Sequence, residues 1–95
     1  MSESKISLPV ELTIVQAEVI RKQILAEVEQ HEEIHFDDSE LARIDSIGLQ
    51  LLLASVIHIT SKNKILHWNC QSKVVKESIK LLGIDEPILN QYLNF

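Results

Sequence analysis

Apolar residues occupy every second position between Ile6 and Ile14, near the beginning of the chain. This period of two is typical of a β-strand with one buried face. Pro9 interrupts the run, and proline cannot donate a hydrogen bond to a neighbouring strand. The segment is therefore predicted to form either two short strands or one irregular edge strand. A helix is predicted to follow, beginning at either Thr13 or Gln16.

Three later segments have the three- and four-residue spacing of helices. The first, over about 16–30, has its apolar stripe at Ala17, Ile20, Ile24 and Val28. The second, over 47–61, is apolar around most of its circumference, which indicates burial on more than one side or an interface. The third is predicted to begin with Ser72 as its cap and to end at Gly83, since glycine readily adopts a left-handed conformation.

Two short apolar segments lie between these helices and are predicted to be strands. One is 34–36, ending near Asp37, and the other is 64–70. The last segment, 84–95, is predicted to be a short docking helix with Pro87 in its first turn. Strands that alternate with helices of 10–15 residues require crossover connections, so at least part of the sheet is expected to be parallel.

Composition narrows the possible partners of the chain. Its 95 residues, 45% of them apolar, are enough for a single domain with one core. The net charge of −5 argues against nucleic acid or an anionic membrane as the main partner, because both are bound through clustered Lys and Arg. A protein or a neutral small molecule is favoured. One cysteine, Cys70, allows no internal disulfide, which suits a reducing cytoplasm. No signal peptide or membrane-inserting segment is visible in the sequence.

The sequence contains no recognisable motif for catalysis, cofactor binding or metal binding. Its two glycines, Gly48 and Gly83, cannot make a glycine-rich phosphate loop, and no Ser-His-Asp arrangement is apparent. No two histidines stand at a two-ligand spacing for one helix face. The histidines are His31, His35, His58 and His67. The chain is therefore predicted to have no catalytic activity, no cofactor and no metal site.

The candidate chemistry lies at the beginning of the second helix, in the segment Ile44-Asp45-Ser46-Ile47-Gly48-Leu49. The backbone N–H groups of a helix start have no partners within the helix and form the positive end of its dipole. A serine there can cap the helix or carry a phosphate. Asp45 can complement the helix dipole or present Ser46 to a kinase. Gly48 is expected to allow close packing.

Four segments of the chain resemble known proteins. The Asp-Ser-x-Gly-Leu segment, Asp45 to Leu49, resembles the STAS domains of bacterial anti-sigma factor antagonists, in which the serine is phosphorylated by a partner kinase. The opening Leu8-Pro9-Val10-Glu11-Leu12-Thr13 resembles the compact branch of MlaB-like and chemotaxis-associated STAS proteins. Phe36-Asp37-Asp38-Ser39 is similar to the Leu-Asp-Leu-Ser segment of the family, and Leu81-Leu82-Gly83-Ile84 to its usual ending.

The resemblance implies a single STAS domain over residues 1–95, an α/β fold whose central mixed sheet of four or five strands has helices packed mainly on one side. It implies a non-enzymatic partner-switching regulator with Ser46 as phosphoacceptor. Asp45, Asp37 and Gly48 would surround the phosphorylation site, and Asp38 would add negative charge nearby. The implied partner is a serine kinase of the anti-sigma factor type.

Three other functions are compatible with the resemblance, one of them a ligand-binding STAS sensor, which would need a pocket for a lipid or a nucleotide. An MlaB-like domain would be an accessory subunit of an ABC lipid transporter and would bind its ATPase or permease. A chemotaxis-associated domain would be an adaptor in a signalling array. Ser46 favours the anti-sigma antagonists, whereas the short opening at Leu8 to Thr13 favours the compact branch.

Overall fold

Strands and helices alternate in the computed structural model, which describes residues 3–84 and 87–93. The strands are β1 (Glu3–Ser7), β2 (Glu11–Leu12), β3 (Glu33–Asp37), β4 (Arg43–Ile44) and β5 (Ile65–Trp68). The helices are α1 (Ile14–Gln30), α2 (Ser46–Ser61), α3 (Lys73–Leu82) and α4 (Asn90–Leu93), with a 3-10 turn at Pro87–Leu89 immediately before α4. Part of the predicted docking helix, 85–86 and 94–95, lies outside the described residues.

The predicted α/β fold is confirmed, but its sheet is divided. β1, β3 and β5 form a three-stranded sheet in the order β1-β3-β5, while β2 and β4 form a separate pair. All pairings among the described residues are parallel, so the central sheet is smaller than expected and is not mixed. Pro9 lies in the break between β1 and β2, where the chain leaves the large sheet.

The helix boundaries follow local capping chemistry. Thr13 is the N-cap of α1, and its backbone N–H donates to the side chain of Gln16 while its own hydroxyl accepts from the first turn. Gly83 ends α3 in the left-handed conformation, with φ at 66°. The prediction that Ser72 caps α3 is wrong for its side chain, because the Ser72 hydroxyl donates instead to the carbonyl oxygen of Leu41.

The core lies between the large sheet and the helices, with α2 at its centre. α2 contacts α1, α3 and β5, which confirms that this apolar helix is buried on more than one side. The fully buried apolar side chains are those of Ile6, Leu8, Leu12, Ile24, Val28, Ile34, Leu52, Val56, Ile59 and Val75. None of the helices within 3–84 and 87–93 has the length and apolar character needed to cross a membrane.

Within residues 3–84 and 87–93, helices cover only one face of the large sheet. Along β1, β3 and β5 the buried residues alternate with more accessible ones, so the helices pack on one side, as predicted. Lys5, His35 and His67 are among the side chains on the opposite face. Parallel sheets are usually covered on both faces, so this uncovered face is an unusual feature of the molecule.

Candidate functional site

The carboxylate of Asp45 organises the beginning of α2. Asp45 is the N-cap, and its Oδ1 accepts a hydrogen bond of 2.9 Å from the backbone N–H of Gly48. Its Oδ2 accepts a second bond of 3.0 Å from the backbone N–H of Ile14, the first residue of α1. These bonds, the one from Gly48 foremost, lower the pKa of Asp45 below its ordinary value. One ionised side chain thus joins the N-termini of two helices.

Gly48 lets the second strand approach the first turn of α2. A Cβ atom at this position would meet the backbone carbonyl oxygen of Leu12 well inside van der Waals contact distance. The carbonyl group also accepts a weak hydrogen bond from the backbone N–H of Asp45, at 3.4 Å. The predicted packing role of Gly48 therefore has a specific structural reason.

Ser46 is the first residue of α2, and its side chain is exposed. It is not the cap, because Asp45 holds that position. The hydroxyl lies at the mouth of a shallow cleft of about 160 Å³, bounded on the far side by α3. The cleft is lined by Ile44, Asp45, Ser46, Ser78, Leu81 and Leu82. An approaching protein can reach the Ser46 hydroxyl without any part of the fold opening.

Exposed apolar residues lie near Ser46, either in the lining of its cleft or at the starts of the two helices that Asp45 joins. Leu81 and Leu82 from α3 are 86% and 53% exposed and line the same cleft. Ile47, the next residue in α2, is 41% exposed. Ile14, whose N–H bonds to Asp45, is 66% exposed. We call Ile14, Ile47, Leu81 and Leu82 the apolar rim. Clustered exposed apolar side chains beside a polar centre are typical of protein interaction sites.

The structure does not bring Asp37 or Asp38 into the Ser46 cleft. Asp37 ends β3 and lies 3.5 Å from the Lys5 ammonium, in a different cleft at the end of the large sheet. Hydrogen bonds from the Ser39 side chain and backbone lower the pKa of Asp37. Among the described residues that line the Ser46 cleft, Asp45 is the only acidic one. The predicted carboxylates of Asp37 and Asp38 therefore do not line this cleft.

Asp38 is a structural residue of the interior. It is 1% exposed, and its two oxygens accept from the indole N–H of Trp68 at 3.1 Å and from the backbone N–H of Gln71 at 2.9 Å. This satisfied buried carboxylate ties the end of β3 to the segment between β5 and α3.

Cys70 packs in the interior as a small apolar residue. The side chain is 3% exposed. Burial, followed by the nearby carboxylate of Asp38, raises the pKa of the Cys70 thiol to about 12. The thiol is therefore protonated at physiological pH and is not a candidate nucleophile.

Reasoning from the sequence missed one cluster. His35 and His67 lack the spacing of two ligands on one helix, but they lie on two neighbouring strands and are paired in register. Their rings stack with centroids 4.3 Å apart, and Glu33 lies beside them. The sequence contains one signal for this cluster, since each of the two histidines lies in a predicted strand. The pairing of those strands comes only from the fold.

Comparisons with known proteins agree with the fold. The family model described as "Mlab, STAS domain" matches residues 1–91. Among solved structures, the phosphorylated form of the Bacillus cell fate determinant SpoIIAA is similar, with a TM-score of 0.69 and 21% sequence identity over 87% of this chain and 78% of that one. A search of curated proteins found no match. At that identity, the likeness to SpoIIAA concerns the fold alone.

Proposed function

Because the chain belongs to the STAS domain family described as Mlab, we propose that it is a non-enzymatic cytoplasmic regulator whose binding to a protein partner is switched by phosphorylation of Ser46. One observation carries the proposal: an exposed serine hydroxyl stands at the start of α2 within a rim of exposed apolar side chains. The unphosphorylated surface suits a partner that covers the apolar rim. A phosphate on Ser46 would interfere with the binding of that partner.

The partner in this proposal is a serine kinase that uses ATP. Its reaction transfers the γ-phosphoryl group of ATP to Ser46 Oγ, while the hydroxyl proton leaves to a base of the kinase and ADP is released. This chain supplies the acceptor hydroxyl and the docking surface. A kinase has room to reach Ser46, because the side chain is exposed at the mouth of its cleft.

The electrostatics of the site explain how the phosphate would act. The modification adds about −1.5 to −2 charges at the first position of a helix, where the dipole tolerates negative charge, so the fold is expected to survive. The phosphate would also stand next to Asp45, whose lowered pKa keeps it ionised. A surface that was apolar with one carboxylate would become strongly anionic, and a partner that packs on the apolar rim would have to bury that charge and would bind more weakly.

The test is to capture partners from the native organism with wild type, Ser46→Ala and Ser46→Asp, and to map phosphorylation on the endogenous chain. Wild type and Ser46→Ala are expected to retain a kinase that Ser46→Asp loses. Ser61→Asp, which adds the same charge at the opposite end of α2, is the matched control and should retain it. An identical set of partners for all variants, with no phosphate on Ser46 in cells, would disprove the switch.

A second function is favoured by the family description itself, which names Mlab. In that case the chain is an accessory subunit of an ABC lipid transporter, and the apolar rim is covered permanently by the ATPase or permease. The capture experiment separates the two functions. A transporter subunit should copurify with the ATPase in both wild type and Ser46→Ala, because the residue at position 46 is small and neutral in each. No kinase should be recovered.

A further inference from the structure

We propose that Glu33, His35 and His67 form a binding site for a divalent transition-metal ion, with Zn²⁺ as its typical occupant, on the uncovered face of the large sheet. The site is separate from Ser46 and does not depend on the function proposed above. The side chains come from β3 and β5, whereas Ser46 begins a helix that packs against the other face of the sheet.

The strand register brings these side chains together. β3 and β5 are parallel neighbours, and His35 is paired directly with His67. Glu33 precedes His35 by two residues in the same strand, so both side chains project from the same face. All three belong to the accessible set of the alternating pattern, with Glu33 and His35 half-buried and His67 exposed. The backbone therefore fixes the arrangement, and no loop contributes to it.

The ligand atoms already lie close to one another. One ligand atom from each of Glu33, His35 and His67 lies within 4.8 Å of the other two. His67 Nε2 is 2.7 Å from Glu33 Oε1, and the imidazole rings of the two histidines are stacked with an interplanar angle of 16°. Tetrahedral zinc with bonds of about 2.0–2.2 Å holds its ligand atoms about 3.3 Å apart. Zinc binding therefore requires these accessible side chains to rotate until their ligand atoms reach that separation.

The chemistry of the donor set selects the class of metal. Two imidazoles and one carboxylate suit Zn²⁺, Ni²⁺ or Cu²⁺, whereas Mg²⁺ and Ca²⁺ prefer oxygen ligands alone. Three protein ligands leave a fourth position for water or for a group from a partner. Glu3 Oε1 accepts a hydrogen bond of 2.9 Å from His35 Nε2 and adds a second carboxylate beside the site. Its negative charge favours a bound cation.

The test is isothermal titration of the untagged full chain with ZnCl₂ and, separately, with MgCl₂. Wild type is expected to bind one Zn²⁺ saturably and to show no comparable binding of Mg²⁺. His35→Gln and His67→Gln should each weaken zinc binding by about 100-fold or more, because even changes outside the metal ligands cost about 10- to 100-fold. His58→Gln is the matched control, since His58 lines a different cleft between α1 and α2, and it should bind as wild type does.

Circular dichroism and urea unfolding establish that each variant is folded. Nuclear magnetic resonance of the wild-type chain gives a test that needs no variant. Addition of zinc should shift the imidazole ¹⁵N resonances of His35 and His67 and leave those of His31 and His58 unchanged. The proposal is overturned if wild type takes up no zinc, if His35→Gln and His67→Gln bind as tightly as wild type, or if the imidazole resonances of all four histidines respond alike.

Discussion

Asp45 shows how one side chain can serve both stability and the candidate site. Its two oxygens cap α2 through Gly48 and hold the first residue of α1 through Ile14. Asp45 therefore stabilises the N-terminus of α2, as considered from the sequence. Its hydrogen bond to a second helix could not be predicted, because Ile14 lies 31 positions away in the chain. A role in presenting Ser46 to a kinase stays a prediction.

Replacing Asp45 by Asn should destabilise the fold at neutral pH but have little effect in acid. Asparagine keeps an acceptor for Gly48 but has no second oxygen for Ile14. The folded-state pKa of Asp45 lies below its ordinary value of 3.8, so its stabilising contribution is present above that value and is lost as the pH falls through the folded pKa. Urea unfolding at pH 7 and at successively lower pH should show the difference between wild type and Asp45→Asn shrinking. A difference that grows in acid would contradict this assignment.

Substituting Gly48 by Ala should destabilise the protein by about 2 kcal/mol, because the new methyl group displaces the Leu12 carbonyl group. Helix propensity alone predicts the opposite sign, a gain of about 1 kcal/mol for alanine. Gln50→Ala, at an exposed position of the same helix, is the control and should change stability by less than about 0.5 kcal/mol. Chemical unfolding of the two variants decides between packing and propensity.

At the level of helices and strands, periodicity in the sequence predicted most of the architecture. β3, α1 and α2 lie within two residues of their predicted bounds, because long periodic segments retain their local preference in the fold. Tertiary contacts decided the rest. Ser72 lies at the start of a helix, but its hydroxyl donates a hydrogen bond to the carbonyl oxygen of Leu41 instead of capping that helix. The segment around Pro9 forms two short strands, β1 and β2, which is one of the two alternatives that the sequence left open.

Asp38 connects elements that are distant in sequence, and its loss should be costly. In Asp38→Ala, the indole N–H of Trp68 and the backbone N–H of Gln71 lose their acceptor in the interior, and each unsatisfied donor costs about 1–3 kcal/mol. We expect a total destabilisation of about 3 kcal/mol, and roughly half of that for Asp38→Asn, which keeps one acceptor. Urea unfolding followed by circular dichroism measures both. Glu40→Ala, an exposed neighbour, should be nearly neutral.

At the scale of the whole molecule, two distinct surfaces are candidates for binding. One is the apolar rim around Ser46, and the other is the uncovered sheet face with His35 and His67. Ser46 and Asp45 were identified from adjacent positions in the chain. The apolar rim and the histidine pair were not, because they join residues from different elements, and only the packing of α1, α2 and α3 and the register of β3 with β5 bring them together.

The central claim is that the charge at Ser46 controls whether a partner can cover the apolar rim. Its most direct test is the affinity of the captured partner for the chain with and without a phosphate on Ser46, measured by titration calorimetry with both forms shown to be folded. Phosphorylation should weaken binding by about 100-fold or more, since a partner that covers the apolar rim would have to remove a charged phosphate from water, which costs several kcal/mol. Equal affinities for the two forms would contradict the claim.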